Sequence, residues 1–219
     1  MNNTKTVEDE NKLEINLINS IAEKGMGEII EDGVEISVDS FIENDLLREI
    51  PIVKTVVAIS KGVLNVRDYL FLKKIITFLN EARKIEPEKR KKFAEEIKKN
   101  SRINEVGLKL TEIIDKSFGE YKAKIIGKLF VIFLEGGSMT QQDFFRLSEM
   151  TINAYESDLE YFFKKNEDEI GETGDEVEHL LAIGFYERGK QAFGHTIMEA
   201  KQPTFSSYGN MFNKVKKLL

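Results

Sequence analysis

Apolar residues recur at helical spacing along most of this chain, and the gaps between those stretches carry helix-start and helix-stop residues. From Lys12 onward, Leu13, Leu17, Ile18, Ile21 and Ala22 form one amphipathic stripe. Gly25, Gly27 and Gly33 interrupt it, and the alternation of Val34, Ile36 and Val38 with polar residues predicts a short strand. Ser40 with Glu43 three residues later has capping-box spacing, which predicts a helix with Phe41, Leu46 and Leu47 turned inward. Pro51 suits the first turn of a helix bearing Val53, Val56 and Val57. A stronger pattern from Asn65 to Lys84 places Val66, Tyr69, Leu72, Ile75, Ile76 and Leu79 on one face. Together the last two stretches predict an apolar helical hairpin over 51–84.

Pro87 opens a helix whose apolar positions are Phe93, Ala94 and Ile97, so it is expected at the surface. Asn100-Ser101 is a break, after which Val106, Leu110, Ile113 and Ile114 resume the helical spacing. A densely apolar stretch from Phe118 to Leu134 ends at Glu135-Gly136-Gly137, and one helix is predicted from Ser138 or Thr140 through Phe162. An acidic loop over Asn166–Gly174 precedes a short helix that Asp175 caps and Gly184 stops. Phe185 and Tyr186 read as extended, Ala192–Met198 as a returning strand, and Tyr208–Leu219 as a closing helix. The fold class expected is mainly α: a multi-helix domain with a small C-terminal α+β unit. The division expected is 1–100, with the apolar hairpin and the basic surface helix, and 101–219, ending in the α+β unit.

Composition narrows the chemistry. The 219 residues include no cysteine, which removes disulfides, thiolate zinc sites and cysteine nucleophiles and fits a cytoplasmic location. Met1-Asn-Asn-Thr-Lys leads into the acidic Glu8-Asp9-Glu10, where a secretory signal would be basic and then apolar. The most apolar stretch is broken by Lys54, Lys61, Arg67, Asp68, Lys73 and Lys74, so no membrane-spanning run is expected. The net charge of −6 is unevenly spread: residues 1–50 carry −9, residues 51–128 carry 19 basic and 10 acidic side chains for +9, and residues 129–219 carry −6. The basic middle segment either faces an anionic partner or is neutralised by the acidic ends.

No catalytic constellation is legible. Asn166, Asp168 and Gly171 occupy three positions of a calcium loop, but Ile170 and Val177 stand where oxygen ligands are required. His179 has Asp175 and Glu176 at helical spacing, and His195 has no identifiable partner. No nucleophile elbow or phosphate-binding glycine loop occurs. The reading is therefore of a protein that is not an enzyme and holds no metal or cofactor. Two charged surfaces remain as interaction candidates: the run Lys89, Arg90, Lys91 and Lys92, and the acidic group Glu167, Asp168, Glu169 and Glu172.

Glu178-His-Leu-Leu-Ala-Ile-Gly-Phe-Tyr-Glu-Arg resembles the helix-to-wing junction of winged-helix domains, and Tyr208-Gly-Asn-Met-Phe resembles their closing element. The resemblance covers roughly residues 138–219 and implies a winged-helix-like C-terminal unit. Such domains often bind DNA through a basic recognition helix. The corresponding stretch here, Asp175–Ile183, is acidic and carries no Lys or Arg, which favours protein contact. Through Glu49-Ile-Pro-Ile-Val, Asn65-Val-Arg-Asp and Phe71-Leu-Lys-Lys, the whole chain is similar to small bacterial proteins of mobile elements and phage-defence regions. The function expected is that of an intracellular protein-interaction or regulatory protein, in phage defence or counter-defence. Two alternatives stay open: a membrane-acting effector using the 51–84 hairpin, and a nucleic-acid binder using the basic middle segment.

Overall fold

A computed structural model describes residues 4–23, 45–60, 62–137, 139–193 and 196–219. The protein is mainly helical, with one small two-stranded antiparallel sheet near the C-terminus. It divides into two compact units, Met1–Gly136 and Gly137–Leu219. The strand expected over 34–38 and most of the helix expected after Ser40 fall outside the described residues.

The first unit contains α1 (Thr4–Ala22), α2 (Asp45–Glu49), α3 (Pro51–Ile59), α4 (Val66–Ala82), α5 (Pro87–Lys99), α6 (Ile103–Lys116) and α7 (Gly119–Gly136). Leu17, Ile18 and Ile21 bury one face of α1 against α3, α5 and α6. The α3 start has no side-chain cap of its own. Instead the buried Ser20 hydroxyl of α1 accepts from the Ile52 backbone N–H at 3.0 Å, satisfying one of the donors that a helix start leaves open. On α4 the buried stripe is Leu72, Ile75, Ile76, Phe78, Leu79 and Ala82. It packs on Ala123, Ile126 and Phe130 of α7, with the Phe78 and Phe130 rings 5.3 Å apart. Gly127 permits this closeness, since a Cβ there would lie 2.7 Å from the Glu81 Cβ.

Two expectations are corrected here. The division expected at residue 100 lies instead at Gly136/Gly137, because α1 packs on α5 and α6, on both sides of the turn at Ser101. Val66 and Tyr69, expected on the buried face of α4, stand outside it: Val66 is exposed and Tyr69 half-buried.

The second unit comprises α8 (Gln141–Asn153), α9 (Glu156–Lys164), a 3-10 turn (Glu167–Glu169), α10 (Asp175–Ile183), β1 (Tyr186–Phe193), β2 (Thr196–Phe205), α11 (Ser207–Asn213) and a 3-10 segment (Lys214–Leu218). Thr140 and Asp143 form a reciprocal capping box at the start of α8. The single helix expected through Phe162 is two, because Ala154 and Tyr155 are extended, with ψ of 148° and 153°. The closing helix stops at Asn213 instead of reaching Leu219. β1 and β2 pair from Tyr186↔Phe205 to Phe193↔Thr196, with a register shift between Arg188 and Lys190. Phe162 sits centrally in an aromatic core, its ring 5.1 to 5.6 Å from those of Phe205, Phe212, Phe185 and Tyr186. Gly209 lets α11 pack closely on the residue that precedes β1, since a Cβ there would lie 2.0 Å from the Phe185 carbonyl oxygen.

Candidate interaction surfaces

The basic run on α5 is smaller as a surface than its sequence implies. Lys91 and Lys92 are exposed, each facing a carboxylate one turn on: Glu95 at 3.8 Å and Glu96 at 3.9 Å. Lys89, half-buried, lies 3.9 Å from Glu86. Arg90 is buried, and its guanidinium donates to the backbone carbonyls of Ile85 at 3.2 Å, Ile21 at 2.9 Å and Glu23 at 2.8 Å. Burial lowers its affinity for its proton. The residue is a tie between the end of α1 and the turn before α5, so the run presents the exposed Lys91 and Lys92 with the half-buried Lys89.

The acidic group is similarly divided. Glu167 accepts from the Phe205 backbone N–H at 3.0 Å, pinning the 3-10 turn to the end of β2. Glu169 accepts from the Asn166 N–H at 2.8 Å and caps that turn. Asp168 and Glu172 are exposed, and the Glu172 carbonyl accepts from Arg188 at 2.9 Å. The same Arg188 nitrogen donates to Glu178 at 2.7 Å. His179 meets neither Asp175 nor Glu176 but stands with Nδ1 3.5 Å from Oδ2 of Asp158, a nearly buried carboxylate on α9. His195 lies outside the described residues.

A surface not anticipated from the sequence is carried by one end of the first unit. Lys73 meets Glu120 at 2.6 Å, and Lys128 meets Glu81 at 3.1 Å. Both contacts join positions separated by the same number of residues, so α4 and α7 run parallel and start at the same end. The turn into α4 is tightly specified. Gly62 adopts φ +80°, and Asn65 and Asp68 form a capping box. Asp68 also accepts from the Ser60 hydroxyl at 2.7 Å, fastening the end of α3 to the start of α4. The turn into α7 passes through Gly119, also at φ +80°.

Asp115 and Glu120, on either side of that second turn, grip α4: Asp115 lies 3.5 Å from Lys74 and 3.9 Å from Arg67, and Glu120 holds Lys73. The Glu120 carboxylate holds the Lys73 ammonium above the ordinary lysine range. These pairs fasten the turn that carries Phe118 to α4 between Arg67 and Lys74. The side chains left facing solvent at this end are large and apolar: Val63 is 77% exposed, Val66 74%, Phe118 83%, Ile59 53% and Leu70 52%. Val66 and Leu70 are one helical turn apart, so they form a continuous strip with the Val63 turn above it. Periodicity alone assigns Val66 and Phe118 to a core, because an apolar residue at a helix start scores the same whether the turn is covered or bare.

Among the described residues no group of three or more His, Asp or Glu side chains could hold a metal ion. Among the same residues no helix is long and apolar enough to cross a membrane. A hollow of about 360 Å³ lies beside α3, lined by Asn16, Glu49, Pro51, Lys54 and Thr55 among others. Part of its polar lining is internally engaged, with Asn16 donating to the Thr55 hydroxyl at 2.7 Å and that hydroxyl donating to the Pro51 carbonyl at 2.9 Å. No protein family, curated protein or solved structure matches this chain.

Proposed function

We propose that this chain is a non-enzymatic interaction protein that docks through the apolar end of its first unit. The observation carrying this reading is the exposure of Ile59, Val63, Val66 and Leu70 around the turn into α4, and of Phe118 in the α6–α7 turn that Asp115 and Glu120 fasten to α4. Scattered exposed apolar residues need no explanation, but a contiguous group of large ones marks a surface that is covered in use. Covering each such side chain is worth on the order of 1–2 kcal/mol. The five together then supply roughly 5–10 kcal/mol toward the cost of association.

Hydroxyl-radical footprinting of the full chain tests the reading for any occupant. Oxidation of Leu70 and Phe118 is expected to fall several-fold in a whole-cell extract with its membranes retained, compared with buffer. Equal oxidation in both would sink the proposal.

The second unit supports a winged-helix-like reading, because α8, α9 and α10 precede a two-stranded hairpin and a closing helix. In that arrangement α10 would be the recognition element. It carries Asp175, Glu176 and Glu178 and no Lys or Arg, so it repels a phosphate backbone. The unit therefore serves protein contact. No mobility shift of duplex DNA is expected even at low salt, and a shift abolished by changing α10 residues would reverse this assignment.

A further inference from the structure

The geometry points to an anionic phospholipid surface as the occupant of the apolar end of the first unit; this inference rests on the docking reading above. The shape of the end is the first reason. Val63, Val66 and Phe118 are about three-quarters exposed or more, which side chains within a groove cannot be. They are knobs on two turns, and of the five apolar residues only Ile59 lines the hollow beside α3. Convex apolar tips fit a deformable layer into which they sink, and no helix is needed that spans it.

Charge is the second reason. Among the described residues of 59–74 and 109–124 that are not buried, 6 are basic and 4 acidic, a net of +2 on a chain whose total is −6. The basic groups stand directly behind the tips: Arg67 follows Val66, and Lys73 and Lys74 lie one turn beyond Leu70. Long cationic stems at such positions extend along apolar surface and place their charge at the headgroup level. Their carboxylate partners, Asp115 and Glu120, are half-exposed, while the lysine stems are largely covered, so the fully exposed Arg67 is the cation freest to meet a phosphate. The same local charge argues against a second copy of the chain, which would bring two net-positive ends together.

The test uses the full chain and unilamellar vesicles. Wild-type protein is expected to co-sediment with phosphatidylglycerol-containing vesicles at least about tenfold better than with pure phosphatidylcholine vesicles, and added salt should erode the difference. Val66→Asp with Phe118→Asp should lower binding about tenfold or more. Both positions are exposed, so circular dichroism should show an unchanged fold. The natural chain has no tryptophan, so a Phe118→Trp variant carries a single reporter. Its emission should shift to the blue on adding anionic vesicles and be quenched by brominated lipid. No sedimentation with anionic vesicles, or a fluorescence unmoved by them, overturns the lipid assignment. If footprint protection then persists in a membrane-free extract, the occupant is a protein and the docking reading stands. If light scattering finds a dimer that the double aspartate variant breaks, the occupant is a second copy and the lipid assignment is likewise overturned. Loss of protection in every extract removes the docking reading itself.

Discussion

Replacing Glu81 by alanine is expected to destabilise the first unit by about 3–5 kcal/mol, a large part of the 5–15 kcal/mol that holds a typical domain together. Glu81 on α4 and Lys128 on α7 pair at 3.1 Å with side chains only 4% and 3% exposed. Lys84 reaches the same carboxylate oxygen at 2.9 Å from the exposed side. Burial already pushes the Lys128 ammonium below the ordinary lysine value of 10.5, and the Glu81 carboxylate opposes that shift. Without the carboxylate, the buried Lys128 ammonium loses the ion pair that opposes the cost of its burial. The close approach of the two helices at Gly127 leaves little room for water to enter beside it.

The pH dependence has a definite sign. A folded-state value below the unfolded one means that the unfolded chain binds the Lys128 proton more tightly. Stability therefore rises with pH between the lowered value and 10.5, where the folded protein carries a neutral amine. Urea unfolding should show the deficit of Glu81→Ala narrowing between pH 7 and about pH 10. A deficit independent of pH would mean that Lys128 finds another partner. Replacing both residues by methionine should come within about 1 kcal/mol of the wild type, since a buried pair gains little over a packed apolar one.

Local chemistry explains which parts of the fold were legible in the sequence. Pro51, Pro87, Asn65 and Thr140 mark helix starts because each acts within one turn of its own position. Gly184 marks a helix end for the same reason, adopting φ +97°. The break between α8 and α9 was not legible, because Asn153-Ala154-Tyr155 contains neither glycine nor proline and the apolar spacing continues across it. The domain division escaped for a different reason. Asn100-Ser101 and Gly136-Gly137 carry equally good turn signals, and only the packing of α1 on α5 and α6 distinguishes them.

The candidate surface failed to emerge for want of long-range information. Lys73 with Glu120 and Lys74 with Asp115 are joined across more than forty positions, and nothing local to either indicates the other. Those pairs hold the turn that carries Phe118 against the helix that carries Leu70, and both residues are exposed. The neighbour of His179 was hidden in the same way: its carboxylate comes from Asp158 on the preceding helix, while Asp175 and Glu176 one turn away look like the natural partners.

Replacing Arg90 by alanine is expected to cost about 3–4 kcal/mol, the sum of lost packing and buried carbonyls left without donors. A surface arginine costs far less, because exposed substitutions usually stay within about 0.5 kcal/mol. The difference arises from what the guanidinium replaces. The last carbonyls of α1 have no partner within their own helix, and they carry the negative end of its dipole. Arg90 supplies donors to Ile21 and Glu23 and, through Nε, to Ile85. One planar group thus satisfies three carbonyls from two parts of the chain. Lysine in its place offers a single rotating ammonium and cannot span that fork, so Arg90→Lys should restore less than half of the loss. Hydrogen exchange gives the sharper readout: the α1 amides should exchange markedly faster in Arg90→Ala and stay unchanged in Lys91→Glu with Lys92→Glu. If the α1 amides are equally protected in Arg90→Ala, the guanidinium is not what holds that helix end. The contrast also decides how the α5 run is probed for partners. A charge reversal that includes Arg90 would abolish binding by loosening α1, whereas the Lys91 and Lys92 pair changes the surface alone.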